Sequence, residues 1–287
     1  MSFVIYAWIA SFLFGLVGII GKLTSKYGIK NPWLFTYLWT FFSLILTVPV
    51  ALYYRVGIPT LWPNLILVSV FSALFNVFYI WGISLLDITV IVPLLNLRTG
   101  FVAVLGALFL SEILSPWQYF LIGIIFLAGF FVSMDEKLSW KSFFKKPIMI
   151  GVLCTLSYTL MGIFIKKAIA ENGYWEVTLW MSVLSQVFLT TTIPLFFWEI
   201  GKLKLKQVAS VFAMSLALAL GIMTENRAYQ HNVVITNIIT ALPFSMIMAF
   251  LFSIFAPKLL EKHTIKVYAI RFTAAAVMIM AALKLSI

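Results

Sequence analysis

Long apolar stretches follow one another along the whole sequence, each about 20 residues long, the length that a helix needs to cross a bilayer. Ten can be counted, with short polar or turn-forming connections between them. They occupy residues 3–21, 33–54, 61–86, 88–110 and 117–134, then 148–165, 177–198, 208–229, 233–256 and 265–283. Strands of a membrane barrel would alternate in polarity, whereas these stretches are continuously apolar. The sequence therefore predicts an all-α polytopic membrane protein with ten transmembrane helices.

Composition supports the membrane class and excludes several kinds of site. Hydrophobic residues make up 63% of the chain and charged residues 10%, and the mean hydropathy is +1.08. A soluble protein surface of ordinary charge density cannot be built from this composition. Cys154 is the single cysteine and the two histidines stand alone, so neither a disulfide framework nor a cluster of metal ligands is available. We predict no cofactor and no metal.

Matching sequence marks recur about 145 to 150 positions apart and in the same order. The pairs are Gly18 to Lys22 with Gly162 to Lys166, Thr47 and Pro49 with Thr192 and Pro194, Pro93 with Pro243, and Glu112 with Glu261. Four ordered pairs at a nearly constant offset indicate a duplication. We therefore predict a first five-helix repeat at 1–135, a basic linker at 136–147, and a second five-helix repeat at 148–287.

An odd number of helices in each repeat determines how the repeats are related. The second repeat must begin on the opposite face of the membrane, so the two repeats have inverted topology. Such repeats place a cavity at their interface, and secondary transporters expose that cavity to each side of the membrane in turn.

Three stretches of the first half resemble the drug/metabolite transporter superfamily in its ten-span EamA-type form. They are Val92 to Leu94, Leu108 to Glu112, and Ser115 to Gln118. The resemblance covers nearly the whole chain and implies a transporter of small metabolites in the cytoplasmic membrane, with export as its expected direction. It also implies that both termini are cytoplasmic. Lys and Arg in the short loops fall mainly on the membrane face opposite the two termini. The positive-inside rule makes that face cytoplasmic and so places both termini outside. The two expectations conflict.

Arg98 lies about midway along the fourth apolar stretch, beside Asn96 and Thr99. A charge near the bilayer centre costs about 2.5 to 3.5 kcal/mol even on lenient insertion scales, so a retained one needs a reason. Arg98 could hold a substrate carboxylate or phosphate by bidentate hydrogen bonds. The alternative is a structural arginine that ties helix ends or carbonyls together.

Glu225 lies near the end of the eighth stretch, and its position depends on where that helix ends. If the helix continues through Tyr229, Glu225 lies a full turn inside the membrane, where it could bind an amine or take part in proton coupling. If the helix ends at Thr224, Glu225 and Arg227 form an interfacial ion pair instead. The corresponding position of the first half is Tyr79, with Asn76 one turn before it, and we predict that both also bind substrate.

The ninth stretch carries a polar stripe, and aromatic residues are frequent in the chain, at 17%. Thr236, Asn237 and Thr240 share one helical face, which should meet either a wet cavity or another helix. We predict that Asn237 and Thr240 bind substrate. We also predict that Trp8, Phe12 and Tyr158 wall the pocket, since aromatic rings accommodate apolar or cationic ligands.

Other marks are interpreted as structural. Ser115 and Gln118 fit a capping box at the start of the fifth helix. Gly15, Gly18 and Gly21 should let another helix approach closely. Lys22 and Lys166 are predicted to snorkel to a membrane interface. Prolines inside a span can kink the helix or serve as a hinge, and the candidates for such a role are Pro49, Pro93, Pro194 and Pro243.

These features together predict a secondary transporter for a small metabolite, an amino acid or similar amphipathic compound, that works by alternating access. A carrier of organic cations or quaternary amines is the alternative, based on the aromatic residues and Glu225. An intramembrane enzyme would need a paired nucleophile and base or metal ligands, and a passive pore would need rings of one charge sign; neither pattern is visible. The expected partners are lipid and the substrate, with no nucleic acid, in a monomer or homodimer.

Overall fold

The structure of the protein is a computed structural model. It describes residues 2–86, 95, 98–111, 114–133, 146–242, 244, 247–248, 251 and 265–286. Several sequence marks lie outside the described residues, namely Pro93, Asn96, Glu112, Pro243, Glu261 and most of the predicted linker.

All regular elements in the described ranges are helices. The first half contains α1 (Phe3–Tyr27), α2 (Pro32–Tyr53), α3 (Pro63–Leu85), α4 (Arg98–Leu110) and α5 (Pro116–Ser133). The second half contains α6 (Lys146–Asn172), α7 (Tyr174–Thr190), α8 (Phe197–Ile200), α9 (Leu205–Tyr229), α10 (Val233–Thr240) and α11 (Ile265–Ser286), with a 3₁₀ turn at Ile193–Leu195.

Five of these helices are long and apolar enough to cross a membrane: α1, α2, α3, α6 and α9. Three others contribute shorter apolar segments, at Arg98–Leu110, Pro116–Ala128 and Phe272–Leu285. The chain is therefore an all-α, multi-pass membrane protein. The count of ten spans stays a prediction, because parts of the predicted fourth and ninth spans, and some side chains of the tenth, lie outside what the structure describes.

Two predicted helix starts are visible in detail. Asn31 caps α2, since its side-chain oxygen accepts hydrogen bonds from the backbone N–H of Trp33 at 3.0 Å and of Leu34 at 3.4 Å. The capping box at α5 is confirmed: the Ser115 N–H donates to Gln118 Oε1 at 2.9 Å, and the Gln118 N–H donates to Ser115 Oγ at 3.3 Å.

The predicted span at 177–198 is wrong at its end, because α7 stops at Thr190. Three consecutive threonine hydroxyls explain the stop. They donate to the carbonyls three residues earlier, at 2.5 Å, 2.7 Å and 2.7 Å, and so tighten the last turn; the donors are Thr190, Thr191 and Thr192. Pro194 follows in a 3₁₀ turn and not inside a helix, whereas Pro49 does lie inside α2.

Lys22 does not snorkel to an interface as predicted. Its side chain is buried and its Nζ donates to the carbonyls of Ile83 at 3.3 Å and Leu86 at 2.9 Å, at the end of α3. Lys166 makes the corresponding bond in the second half, to the carbonyl of His231 at 3.3 Å, just after α9. Each lysine therefore satisfies carbonyls that a helix end leaves without an internal partner.

Helix packing follows a reciprocal pattern across the two halves. The most extensive contacts are α3 with α6 and α1 with α9. Next come α5 with α11, followed by α9 with α2 and α3 with α7. By their order in the two halves, α1, α2 and α3 correspond to α6, α7 and α9. When each helix is exchanged for its counterpart, the contact of α3 with α6 becomes that of α9 with α1, and the contact of α3 with α7 becomes that of α9 with α2.

The connections at the two ends of α2 are held to the other half of the chain. Beyond the end of α2, Asn172 Oδ1 accepts from the N–H of Thr60 at 3.0 Å and of Leu61 at 2.9 Å, and Asn172 Nδ2 donates to the Leu61 carbonyl at 2.8 Å. Before the start of α2, Asn31 Nδ2 donates to Glu199 Oε1 at 2.7 Å. We refer to these as the 60–172 contact and the 31–199 contact.

Candidate functional site

A cavity lies where helices of both halves meet, with about 860 Å³ of space not filled by protein atoms, its opening included. Its walls come from α1, α2, α3, α4, α6, α7, α9 and the end of α10 and from the two residues that follow α10, and most of the lining residues are apolar. The polar side chains in its lining are Ser11, Trp39, Ser72, Asn76, Tyr79, Arg98, Tyr158, Glu225, Asn226 and Thr240.

Arg98 begins α4 and is 1% exposed. One of its terminal nitrogens, Nη2, donates to Thr240 Oγ1 at 2.8 Å. Its other two donor nitrogens, Nε and Nη1, are buried without a hydrogen-bond partner among the described residues. A buried cation with unpaired N–H groups is costly, so this geometry suits an anionic ligand better than a purely structural role.

Glu225 is also 1% exposed and lies inside α9, which continues to Tyr229. Its Oε1 accepts from the Tyr158 hydroxyl at 2.6 Å and from the Thr240 hydroxyl at 3.1 Å. The alternative in which the helix ends at Thr224 is therefore wrong. Arg227 pairs instead with Gln230, from Nη1 to Oε1 at 3.1 Å.

Thr240 connects the two charged groups. Its hydroxyl oxygen accepts from Arg98, and its one hydrogen is shared between Glu225 Oε1 at 3.1 Å and the Thr236 carbonyl at 2.9 Å, so a single side chain of the polar stripe contacts both the cation and the carboxylate. The charges lie close enough to compensate each other in part, yet each retains hydrogen-bonding capacity toward a ligand.

Aromatic rings surround this pair. The Arg98 guanidinium carbon lies 4.4 Å from the centre of the Tyr158 ring. The Phe75 ring stacks on Tyr158 with centroids 4.4 Å apart, and Phe14 approaches Tyr158 edge-on at 6.5 Å. Tyr79 meets Trp39 edge-on at 5.3 Å. These rings position Tyr158 so that its hydroxyl reaches Glu225.

Residues 1–134 match the family model of the EamA-like transporter family. This part of the chain belongs to that family. A solved crystal structure matches 99% of this chain and 98% of its own at a TM-score of 0.71 and 12% identity, so the whole chain shares its fold. No curated protein sequence matches. The matched half therefore has the sequence of a membrane transporter of the drug/metabolite type, a class that carries small molecules across the bilayer.

Six of the nine predicted site residues line the transporter's cavity. They are Asn76, Tyr79, Arg98, Tyr158, Glu225 and Thr240. Asn76 uses its amide nitrogen to bond the Ser72 carbonyl at 2.7 Å. Trp8, Phe12 and Asn237 do not line the cavity.

The positions of Trp8 and Phe12 correct the prediction for α1. Ser11, Phe14 and Gly15 face the cavity, and this spacing turns Phe12 to the outside, where it is 50% exposed. Trp8 packs edge-on against Phe244 at 6.1 Å. The aromatic walls of the cavity come instead from Phe14, Phe75 and Trp39.

Asn237 belongs to a helix contact beside the cavity. Its Oδ1 accepts from the Tyr229 hydroxyl at 3.2 Å, and its Nδ2 donates to the Val233 carbonyl at 3.1 Å. Gly162 of α6 allows this pair to pack closely, because a Cβ there would lie 2.9 Å from Asn237 Nδ2 and 3.1 Å from Tyr229 Oη. The repeated glycine is therefore a packing position, as is Gly21, where a Cβ would lie 2.8 Å from Met214 Cε.

We expect Gly162→Ala to destabilise the transporter by about 1–3 kcal/mol, because the added methyl overpacks a buried polar contact. The thermal unfolding midpoint of the purified protein in detergent measures the effect. Gly123→Ala is the matched control, since a Cβ at that helical glycine meets no atom within 4 Å. Equal midpoints for the two variants would contradict the close contact at Gly162.

Sequence reasoning missed Asn226. Its Nδ2 donates to Thr178 Oγ1 at 3.2 Å, while its Oδ1 is buried without a hydrogen-bond partner among the described residues. Asn226 lines the cavity next to Glu225. The available signal was its place inside the eighth apolar stretch, where an amide without a hydrogen-bond partner is costly to bury.

Proposed function

We propose that the transporter binds a small zwitterion, such as an amino acid, in this cavity and carries it across the cytoplasmic membrane by alternating access. The observation that carries the proposal is the pair of unpartnered Arg98 donors beside Glu225 in one largely apolar cavity. A ligand with one carboxylate and one ammonium group would complement both charges at once.

The carboxylate of the ligand would bind Arg98. Nη2 of a guanidinium carries two N–H groups, one beside the Nε–H and one beside an Nη1 N–H, so each of these two edges can donate two parallel hydrogen bonds to one carboxylate. Thr240 accepts a bond from Nη2 and so leaves one of the two edges available. The desolvation cost of Arg98 is then offset more fully when substrate is bound, which favours recognition of the acid group.

The ammonium group would bind Glu225 and Asn226. Glu225 supplies the negative charge, and Asn226 Oδ1 supplies a buried acceptor one residue further along α9. Both groups line the cavity, and the Tyr158 hydroxyl fixes the orientation of the carboxylate through its 2.6 Å bond.

The organic-cation alternative is supported by the aromatic walls and Glu225. Arg98 weighs against it, because its guanidinium already lies over the Tyr158 ring at 4.4 Å. A quaternary amine would have to enter a cavity that already contains a buried positive charge. The zwitterion is the better match.

Alternating access is supported by the arrangement of the two halves. The cavity takes walls from both, and helix contacts recur when the halves are exchanged. The 60–172 and 31–199 contacts join the halves at opposite ends of α2. We propose that 1–135 and 148–287 form inverted repeats that rock about the cavity, with residues 136–147 as the linker. Export is the proposed direction, by resemblance to the family.

The test uses purified transporter in liposomes and measures uptake of an amino acid in competition with its fragments. The full zwitterion should compete, while the methyl ester, which lacks the acid, and the deaminated acid, which lacks the amine, should compete at least about tenfold less well. Saturable uptake of choline-like cations with no uptake of zwitterions would overturn the proposal and favour the alternative.

Glu225 is the proposed site of proton coupling. We expect Glu225→Gln to abolish accumulation driven by a pH gradient while exchange of substrate across the membrane continues at a raised half-saturation concentration, because glutamine can still accept a hydrogen bond from the ammonium group but carries no charge and cannot exchange a proton. Glu176→Gln, at the start of α7, is the control. Unchanged gradient-driven uptake in Glu225→Gln would exclude this role.

A further inference from the structure

Two contacts at the cavity wall join equivalent positions of the two halves. Phe14 lies four residues before Gly18, as Tyr158 lies four before Gly162. Gly221 lies four residues before Glu225, as Phe75 lies four before Tyr79. The contact of Phe14 with Gly221 between α1 and α9 therefore corresponds to the contact of Tyr158 with Phe75 between α6 and α3.

The two equivalent contacts differ in bulk. Phe75 fills its position with a ring that stacks on Tyr158 at 4.4 Å. Gly221 has no side chain, and the Phe14 ring lies directly against its backbone. A Cβ at 221 would be 2.6 Å from Phe14 Cε1 and 3.0 Å from Cδ1. Contacts this short are not tolerated, so any side chain at 221 must displace the Phe14 ring or separate the helices.

The displaced ring would narrow the space for substrate. Phe14 lines the cavity, together with its neighbour Ile222 on α9. An added methyl group at 221 would push the ring away from α9, and a ring that borders the cavity then takes up part of its space. The missing side chain at Gly221 thus gives the cavity room on the wall made by α1 and α9.

We propose that Gly221 and Phe14 together set the largest substrate side chain that the transporter accepts. This inference rests on the proposed function, because it assumes that the ligand bound by Arg98 and Glu225 extends its side chain toward this wall. Neither residue needs to bond the substrate. Gly221 acts by positioning Phe14, and Phe14 limits the space directly.

The experiment measures uptake of amino acids of increasing side-chain size, from alanine through norvaline and norleucine to phenylalanine and tryptophan. Gly221→Ala should lower uptake of the large members about tenfold or more and leave alanine nearly unchanged, since steric discrimination by one methylene reaches that range. Phe14→Leu should relieve the limit, and the double variant Gly221→Ala with Phe14→Leu should recover the large substrates.

Phe12→Leu is the matched control, because Phe12 is on the same helix outside the cavity. Equal loss for all substrates in Gly221→Ala, without recovery in the double variant, would overturn the size limit and indicate a structural role only. An unchanged size profile would overturn it as well. If the wild-type protein transports no zwitterion, the proposed function itself fails and the size limit with it.

Discussion

Replacing Arg98 with alanine should raise the half-saturation concentration for a zwitterionic substrate by about 10- to 150-fold, the equivalent of losing hydrogen bonds to a charged group worth roughly 1.5–3 kcal/mol. The loss follows from the unpartnered Nε and Nη1, which have no other evident use among the described residues. Concentration-dependent uptake into liposomes measures it. An unchanged half-saturation concentration in a folded Arg98→Ala protein would remove Arg98 from the site.

Arg98→Lys separates charge from geometry. Lysine keeps the positive charge but cannot present two parallel N–H groups, so we expect an affinity between those of wild type and Arg98→Ala. Arg227→Ala is the matched control: this arginine is exposed on α9 and bonds Gln230, and its loss should leave the half-saturation concentration unchanged.

Removal of Arg98 alone also leaves Glu225 without its compensating charge, which is expected to destabilise the fold by about 3–5 kcal/mol. The double variant Arg98→Ala with Glu225→Gln avoids that problem, because no charge remains buried. Recovery of thermal stability in the double variant, with an affinity below that of Glu225→Gln alone, would show that Arg98 has a role in binding apart from its role in folding.

The charged residues of the site could be predicted from the sequence, because the free-energy cost of burying a charge depends only on the residue and on the apolar stretch that contains it. Arg98 and Glu225 lie within apolar stretches, and this alone indicates a cavity. The faces of α1 could not be predicted, since apolar residues surround that helix on all sides and its rotation depends on packing. Phe12 was therefore chosen where Phe14 lines the cavity.

Hydrogen bonds from side chains to backbone carbonyls also could not be predicted from the sequence. Lys22 was interpreted as an interfacial residue because nothing in the local sequence shows that the end of α3 lies against α1. The early end of α7 depends on three hydroxyls bonding their own helix, and threonine inside an apolar stretch often does so without ending it.

A disulfide across the 60–172 contact should stop transport almost completely, and reduction should restore it. Alternating access requires the two halves to separate at each end once in every cycle, and a covalent bond does not open on that timescale. The pair Thr60→Cys and Asn172→Cys introduces this disulfide, and the pair Asn31→Cys and Glu199→Cys introduces a second one at the other end of α2. The native Cys154 is buried in the core and can be replaced with serine beforehand to remove unwanted pairing.

The single-cysteine variants are the controls, and they should transport in both oxidising and reducing conditions. Asn31→Cys alone also removes the cap of α2, which costs about 1 kcal/mol, so its activity sets the baseline for the second pair. Inhibition by each pair is the result expected of a cavity that must open to both sides. If the bond forms quantitatively at both ends and transport continues, the halves do not separate there. Access to Arg98 and Glu225 must then arise from movement of other helices.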